Sequence, residues 1–144
     1  MFMPTLSKRF SIKARDYLRA GEVSIEVQGI LKKIGFDADL IRRVSICAYE
    51  AEMNVVMHGG DGTLHLFVDT SAIALVVKDS GSGIENIELA MKEGYSTASE
   101  EAREMGFGAG MGLPNIKRNC DSLKIYSEKG KGALLAISFE RKVG

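Results

Sequence analysis

"GTLHLFVDTSAIALVVKD", residues 62–79, alternates apolar and polar positions on both sides of Asp69-Thr70-Ser71. A period of two is the mark of a half-buried strand, and Asp, Thr and Ser between two such runs favour a turn. The stretch predicts a β-hairpin. Residues 123–139, "LKIYSEKGKGALLAISF", repeat that form around Gly130-Lys131-Gly132. Upstream the period changes: Ala20, Val23, Val27, Ile30, Leu31 and Ile34 recur at helical spacing up to Gly35. A second helix begins near Asp37, carries Val44, Cys47, Ala48, Ala51 and Val55, and stops at Gly59-Gly60. With a short strand near Arg9–Ile12, the order is strand, two helices, hairpin, long irregular segment, helix, hairpin. This order predicts an α+β fold, a two-layer sandwich whose mostly antiparallel sheet is covered on one face by helices.

A chain of 144 residues without repeat, low-complexity run or linker is expected to form one domain, 1–144, with a core of its own. Its 19 basic and 19 acidic residues cancel, so no global field favours nucleic acid or an anionic membrane, and neither is expected as a partner. The longest apolar run, "AIALVV" at 72–77, is far too short to span a bilayer, and "MFMPTLSKRF" lacks an apolar signal core, which points to the cytoplasm. Cys47 and Cys120 fall in apparent helices without CxxC spacing, and reduced core thiols are expected.

The segment from about Ile84 to Gly112 keeps neither period. It holds a helical fragment at Ile87–Met91, a capping-box pattern from Thr97 to Glu100, and then "MGFGAGMGLPNIKRN" at 105–119, with glycine at every second position from Gly106 to Gly112. A connection of this length inside a domain is a lid or a disordered loop, and a lid over 84–112 is expected. Alternate glycines loosen the backbone and let it lie close to a ligand, and the helix start at Pro114 offers free N–H groups to an anion. A flexible hinge with no ligand would read the same way.

Two further stretches carry chemistry. In "YEAEMNVVMHGG", residues 49–60, Glu50, Asn54 and His58 project from one side of the second helix and border its apolar stripe. A solvated helix flank has this spacing too. Asn54 could give an amide oxygen to Mg²⁺, with phosphates and water as the other ligands, and Glu50 one turn earlier could take a proton from an attacking hydroxyl. In "VVKDSGSG", residues 76–83, an apolar strand ends at Asp79 and opens into Gly81 and Gly83. That carboxylate could accept a hydrogen bond from an exocyclic amine, with the glycines admitting a flat ring, although Asp and Gly are also ordinary turn residues.

The order E-x-x-x-N on a helix, D-x-G-x-G after a strand and G-x-G-x-G-L entering a helix resembles the three boxes of the GHKL ATPase superfamily over nearly the whole chain. Within it, "YEAEMNVVMHGG" is similar to the small bacterial serine kinases that serve as anti-sigma factors or partner-switching kinases. "GFGAGMGLPNIKRNCD" and "IELAMKEGYST" resemble the switch-kinase branch. The resemblance implies a Bergerat, or histidine-kinase-like, ATPase fold that binds ATP or ADP with Mg²⁺. It implies Glu50 as catalytic base, Asn54 as Mg²⁺ ligand, and Asp79 as reader of adenine with Gly81 and Gly83 beside the ring. Gly108, Gly110, Met111, Gly112 and Leu113 match the phosphate-binding end of the lid. Family members often carry a threonine where this chain has Ala133, which puts one adenine contact in question.

The function expected from the resemblance is an ATP- and Mg²⁺-dependent serine/threonine protein kinase. Its partner would be a STAS-domain antagonist or scaffold protein. An anti-sigma factor that sequesters a sigma factor, and a stand-alone ATPase, are the alternatives; a homodimer is compatible with all three. A phosphoacceptor-histidine helix pair is not expected within these 144 residues. His58 is expected to close its helix, favoured there as the cation, or to line the pocket edge, and His65 to lie on the far sheet face in a structural role.

Overall fold

The computed structural model describes residues 5–58, 60–81, 83, 91–92 and 112–141. Its elements are β1 (Leu6–Ile12), α1 (Glu22–Ile34), α2 (Ala38–His58), β2 (Gly62–Val68), β3 (Ala72–Asp79), α3 (Gly112–Asn119), β4 (Ser122–Glu128) and β5 (Gly132–Glu140). The five strands form one antiparallel sheet in the order β1-β2-β3-β5-β4. Register follows the alternation read in the sequence. Leu66 stands opposite Leu75 and Leu75 opposite Ile137, so the apolar residues form rows on one face. Against that face pack Val27 and Leu31 of α1, Val44, Cys47, Ala48, Ala51 and Val55 of α2, and Leu113 and Ile116 of α3. Each large aliphatic side chain fully buried in such a core contributes about 1.5–3 kcal/mol. The expected α+β sandwich is the observed one.

The turns form where their chemistry allows. Asp69 closes the β2–β3 hairpin by accepting the N–H groups of Ser71 and Ala72, both at 2.7 Å, an Asx turn. The β4–β5 hairpin turns through Gly130 and Gly132, with φ of 80° and 90°.

Two polar contacts fix the helices relative to one another. Glu52, in the middle of α2 and 2% exposed, accepts the N–H groups of Gly21 at 3.0 Å, Val23 at 3.3 Å and Ser24 at 3.0 Å. These groups open α1, whose capping residue Gly21 brings no side-chain cap of its own, so a neighbouring helix supplies the anion. Arg43 of α2 donates to the carbonyl of Asn119 at 3.0 Å and pairs with Asp121 at 3.2 Å, holding the C-terminal end of α3.

Some expectations need adjusting. Pro114 is the third residue of α3 rather than its first, still within the turn whose N–H groups have no helical partner. Cys120 follows α3 instead of lying within it, while Cys47 is buried; both thiols are free. The lid expected at 84–112 lies outside the described residues, apart from Met91, Lys92 and Gly112. Among the described residues no helix is long and apolar enough to cross a membrane.

Candidate functional site

α2 sets out the first half of the site. Glu50, Asn54 and His58 follow one another along one flank of the helix, each only partly exposed. The buried contacts of α2 with α3 place Gly112, the first residue of α3, directly over the first two. A β-carbon on Gly112 would stand 3.3 Å from Asn54 Oδ1 and 3.3 Å from Glu50 Oε2. Those distances are tight for a side chain, so the position keeps a narrow floor of backbone beside an amide and a carboxylate. Leu113 turns the other way, into the core.

Burial pushes the Glu50 carboxyl above its ordinary value, and a hydrogen bond from the Asn115 side chain, one turn into α3, acts in the opposite direction. A carboxylate in that state is a better proton acceptor than one in water.

The second half lies at the end of β3. The Asp79 carboxylate accepts the N–H of Gly81 at 2.8 Å. Its carbonyl oxygen occupies the place where a β-carbon on Gly132 would sit, and Gly83, with φ of 84°, lies against the carbonyl of Glu128 and the hydroxyl of Ser127. Three glycines from two chain segments thus bring bare backbone together at the end of β3. His58 joins the two halves. Its pKa is lowered, first by burial and then by the Arg15 charge, while Asp79 pulls the other way. Burial and the Arg15 charge thus oppose the cationic form expected at this helix terminus. Arg15 itself is held at a φ of 65°.

His65 stands on the sheet face opposite the helices, with Nε2 2.9 Å from the Ser7 hydroxyl and its ring stacked on Phe67 at 4.3 Å. Gly108, Gly110 and Met111 lie outside the described residues.

The structure thus gathers Glu50, Asn54 and Gly112 at one end, and Asp79, Gly81 and Gly83 at the other. Asn115, Gly132 and the capping Glu52 were not singled out in the sequence. Glu52 left a trace there as a charge at the spacing of the apolar positions Ala48, Val55 and Val56, and Gly132 only as a turn glycine.

A lone amide oxygen beside a carboxylate and open backbone suits Mg²⁺ held mainly by phosphate oxygens. Among the described residues no group of three or more His, Cys, Asp or Glu could hold a metal unaided. On the other side of Glu50 a groove of about 760 Å³ runs between α1, α2 and α3.

Comparison with known proteins bears on this arrangement. Residues 14–139 match the family described as the histidine kinase-like ATPase domain. An anti-sigma F factor from Thermoanaerobacter sp. (strain X514) is 33% identical over 103 residues, 68% of this chain and 68% of its own. An anti-sigma F factor from Clostridium kluyveri (strain NBRC 12016) is 30% identical over 118 residues, 78% of this chain and 80% of its own. Among solved structures, the mycobacterial sensor histidine kinase MprB superposes with a TM-score of 0.53 over 94% of this chain and 97% of that one. At 14% identity that likeness speaks for the fold alone.

Proposed function

The chain belongs to the histidine kinase-like ATPase (GHKL) family, in its group of anti-sigma factors and partner-switching kinases, and from that premise we propose an ATP- and Mg²⁺-dependent protein serine/threonine kinase. It acts in the cytoplasm on a small STAS-type regulatory protein. The coarser statement, a nucleotide-binding kinase or ATPase domain, follows from the family itself. The observation that carries the finer one is Glu50, a carboxylate with a raised pKa set between the Asn54 and Gly112 cluster and an open groove.

In this reading Asp79 accepts the exocyclic amine of adenine, and Gly81 and Gly83 leave room for the ring. Asn54 would hold Mg²⁺, which when bound neutralises phosphate charge. Gly112 and Leu113, following Gly108, Gly110 and Met111, turn backbone N–H groups toward the phosphates. The acceptor hydroxyl then bonds to the γ-phosphorus as the bond to the β,γ-bridging oxygen breaks; ADP leaves, and the hydroxyl proton passes to Glu50. Catalysis is mostly placement and charge neutralisation.

The test is incubation of the full chain with labelled ATP and a purified STAS-domain protein, followed by mapping of the labelled residue. Stoichiometric serine or threonine phosphate, lost in Glu50→Ala, is the expected result. Brisk hydrolysis of ATP without partner would instead make the chain an ATPase. The likeness to anti-sigma F factors favours a second reading, a sequestering anti-sigma factor. Tight binding of a sigma factor, with no labelled hydroxyl on any candidate, would decide for it.

A further inference from the structure

The groove beside Glu50 has a composition that the nucleotide chemistry leaves unused. Its α2 wall runs from Ala38 to Glu50, ending at the carboxylate, whereas Asn54 and His58 lie C-terminal to it and lead to Asp79. Glu50 is therefore the boundary between two compartments, one that fits a nucleotide and one that is free. Thirteen residues of helix, Ala38 to Glu50, span roughly 18 Å, the length of about five residues of extended chain.

The groove's floor is apolar, with Phe36, Ile41 and Ile46, and Lys32 and Arg42 stand on its rims. Lys32 has no ion-pair partner among the described residues. Arg42 meets Asp39 at 3.0 Å, an exposed pair one helical turn apart that water and salt weaken easily. Glu50 is the one carboxylate in the lining, and it stands at the end where a hydroxyl would have to arrive.

We infer that this groove docks the acceptor segment of the protein substrate, an extended stretch of about five residues. The segment carries acidic and apolar side chains beside the serine or threonine that reaches Glu50. The inference rests on the kinase reading and adds the recognition rule to it. Charge complementarity at the two basic rims selects acidic sequence, the apolar floor receives an apolar side chain, and continuity with the carboxylate sets where the hydroxyl sits.

The test uses two nine-residue peptides, identical in a single serine and one leucine. One carries glutamates within four positions of the serine, and the other carries lysines there. Both are offered to the full chain with labelled ATP at low salt. The acidic peptide should be phosphorylated with at least tenfold higher kcat/KM, the difference lying in KM. Combining Lys32→Glu and Arg42→Glu should invert the preference while calorimetry shows an ADP affinity within twofold of the parent. Equal kcat/KM for the two peptides, or a preference that survives the charge reversal, would overturn the groove and leave the kinase standing. If neither peptide is labelled while the STAS-domain protein is, the groove is overturned and the kinase stands; if that protein too stays unlabelled although ADP binds normally, the kinase reading falls and the inference with it.

Discussion

The carbonyl oxygen of Asp79 lies against Gly132, in the space a β-carbon would need, and Gly132 itself has a φ of 90°. Gly132→Ala must therefore displace the strand end that presents the Asp79 carboxylate, in addition to straining the turn. A loss of about 2–3 kcal/mol of stability and clearly weaker ADP binding are expected. Gly130 makes the control. It shares the left-handed backbone, but a β-carbon there would meet nothing within 4 Å. Gly130→Ala should cost only about 1–2 kcal/mol and leave ADP binding unchanged, as thermal melts and calorimetric titration will show.

Glu50→Ala should keep ATP affinity within a few-fold and lower phosphoryl transfer by roughly 10²–10⁴, because a proton acceptor contributes to the transition state and little to ground-state binding. Asn54→Ala should weaken both binding and transfer. A rate assay paired with nucleotide titration separates the two, and a wild-type rate in Glu50→Ala would remove the base from the mechanism.

The pH behaviour of Glu50 has a definite sign. Burial holds its folded pKa above the unfolded value, so the charged form is disfavoured by folding. This group's contribution to stability is full below the ordinary carboxylate range and is lost as pH rises through the raised value. Glu50→Gln should accordingly melt higher than the parent at pH 7 and no higher at about pH 4. Asn115 favours the charged form, so Asn115→Ala should move the acid limb of the rate profile to higher pH.

Glu52→Ala leaves the N–H groups of Gly21, Val23 and Ser24 without their acceptor at a buried helix start. A loss of about 2–4 kcal/mol is expected in denaturant melts. Glu52→Gln keeps one acceptor oxygen and should lose less. Equal stability of Glu52→Ala and the parent would show that water replaces the carboxylate without penalty.

Ala133 stands opposite Ser127 on β4, beside the turn that Gly83 packs against. Ala133→Thr should tighten ADP binding by up to about tenfold, the worth of one hydrogen bond of roughly 0.5–1.5 kcal/mol. Weaker binding in calorimetric titration would mean that the added methyl group overfills the pocket.

Local pattern carried much of this into the sequence. The two hairpins and both long helices were legible because period two and period 3.6 are properties of neighbouring residues, and Glu50, Asn54 and Asp79 stood out by spacing near element ends. Asn115 and Gly132 were not legible. Asn115 approaches Glu50 from a helix 65 positions later by number, and Gly132 reads as a turn glycine until Asp79 is seen against it. Glu52 was readable only as a charge in the wrong place. Its partner is the opening of α1, and no local pattern announces which helix start lacks a cap. The leaning toward the switch-kinase branch rests largely on the stretches 87–97 and 106–121, most of which lie outside the described residues.

The glutamates of α2, two positions apart, serve different neighbours, Glu52 the start of α1 and Glu50 the space below Gly112. Because each residue turns a helix by about 100°, both tasks depend on a single rotational phase. Deleting or inserting one residue between Ala38 and Glu50 would swing the carboxylates away from α1 and Gly112 together, or else pull the apolar stripe off the sheet. α2 should therefore tolerate substitution at its exposed positions far more readily than a change of length before Glu52.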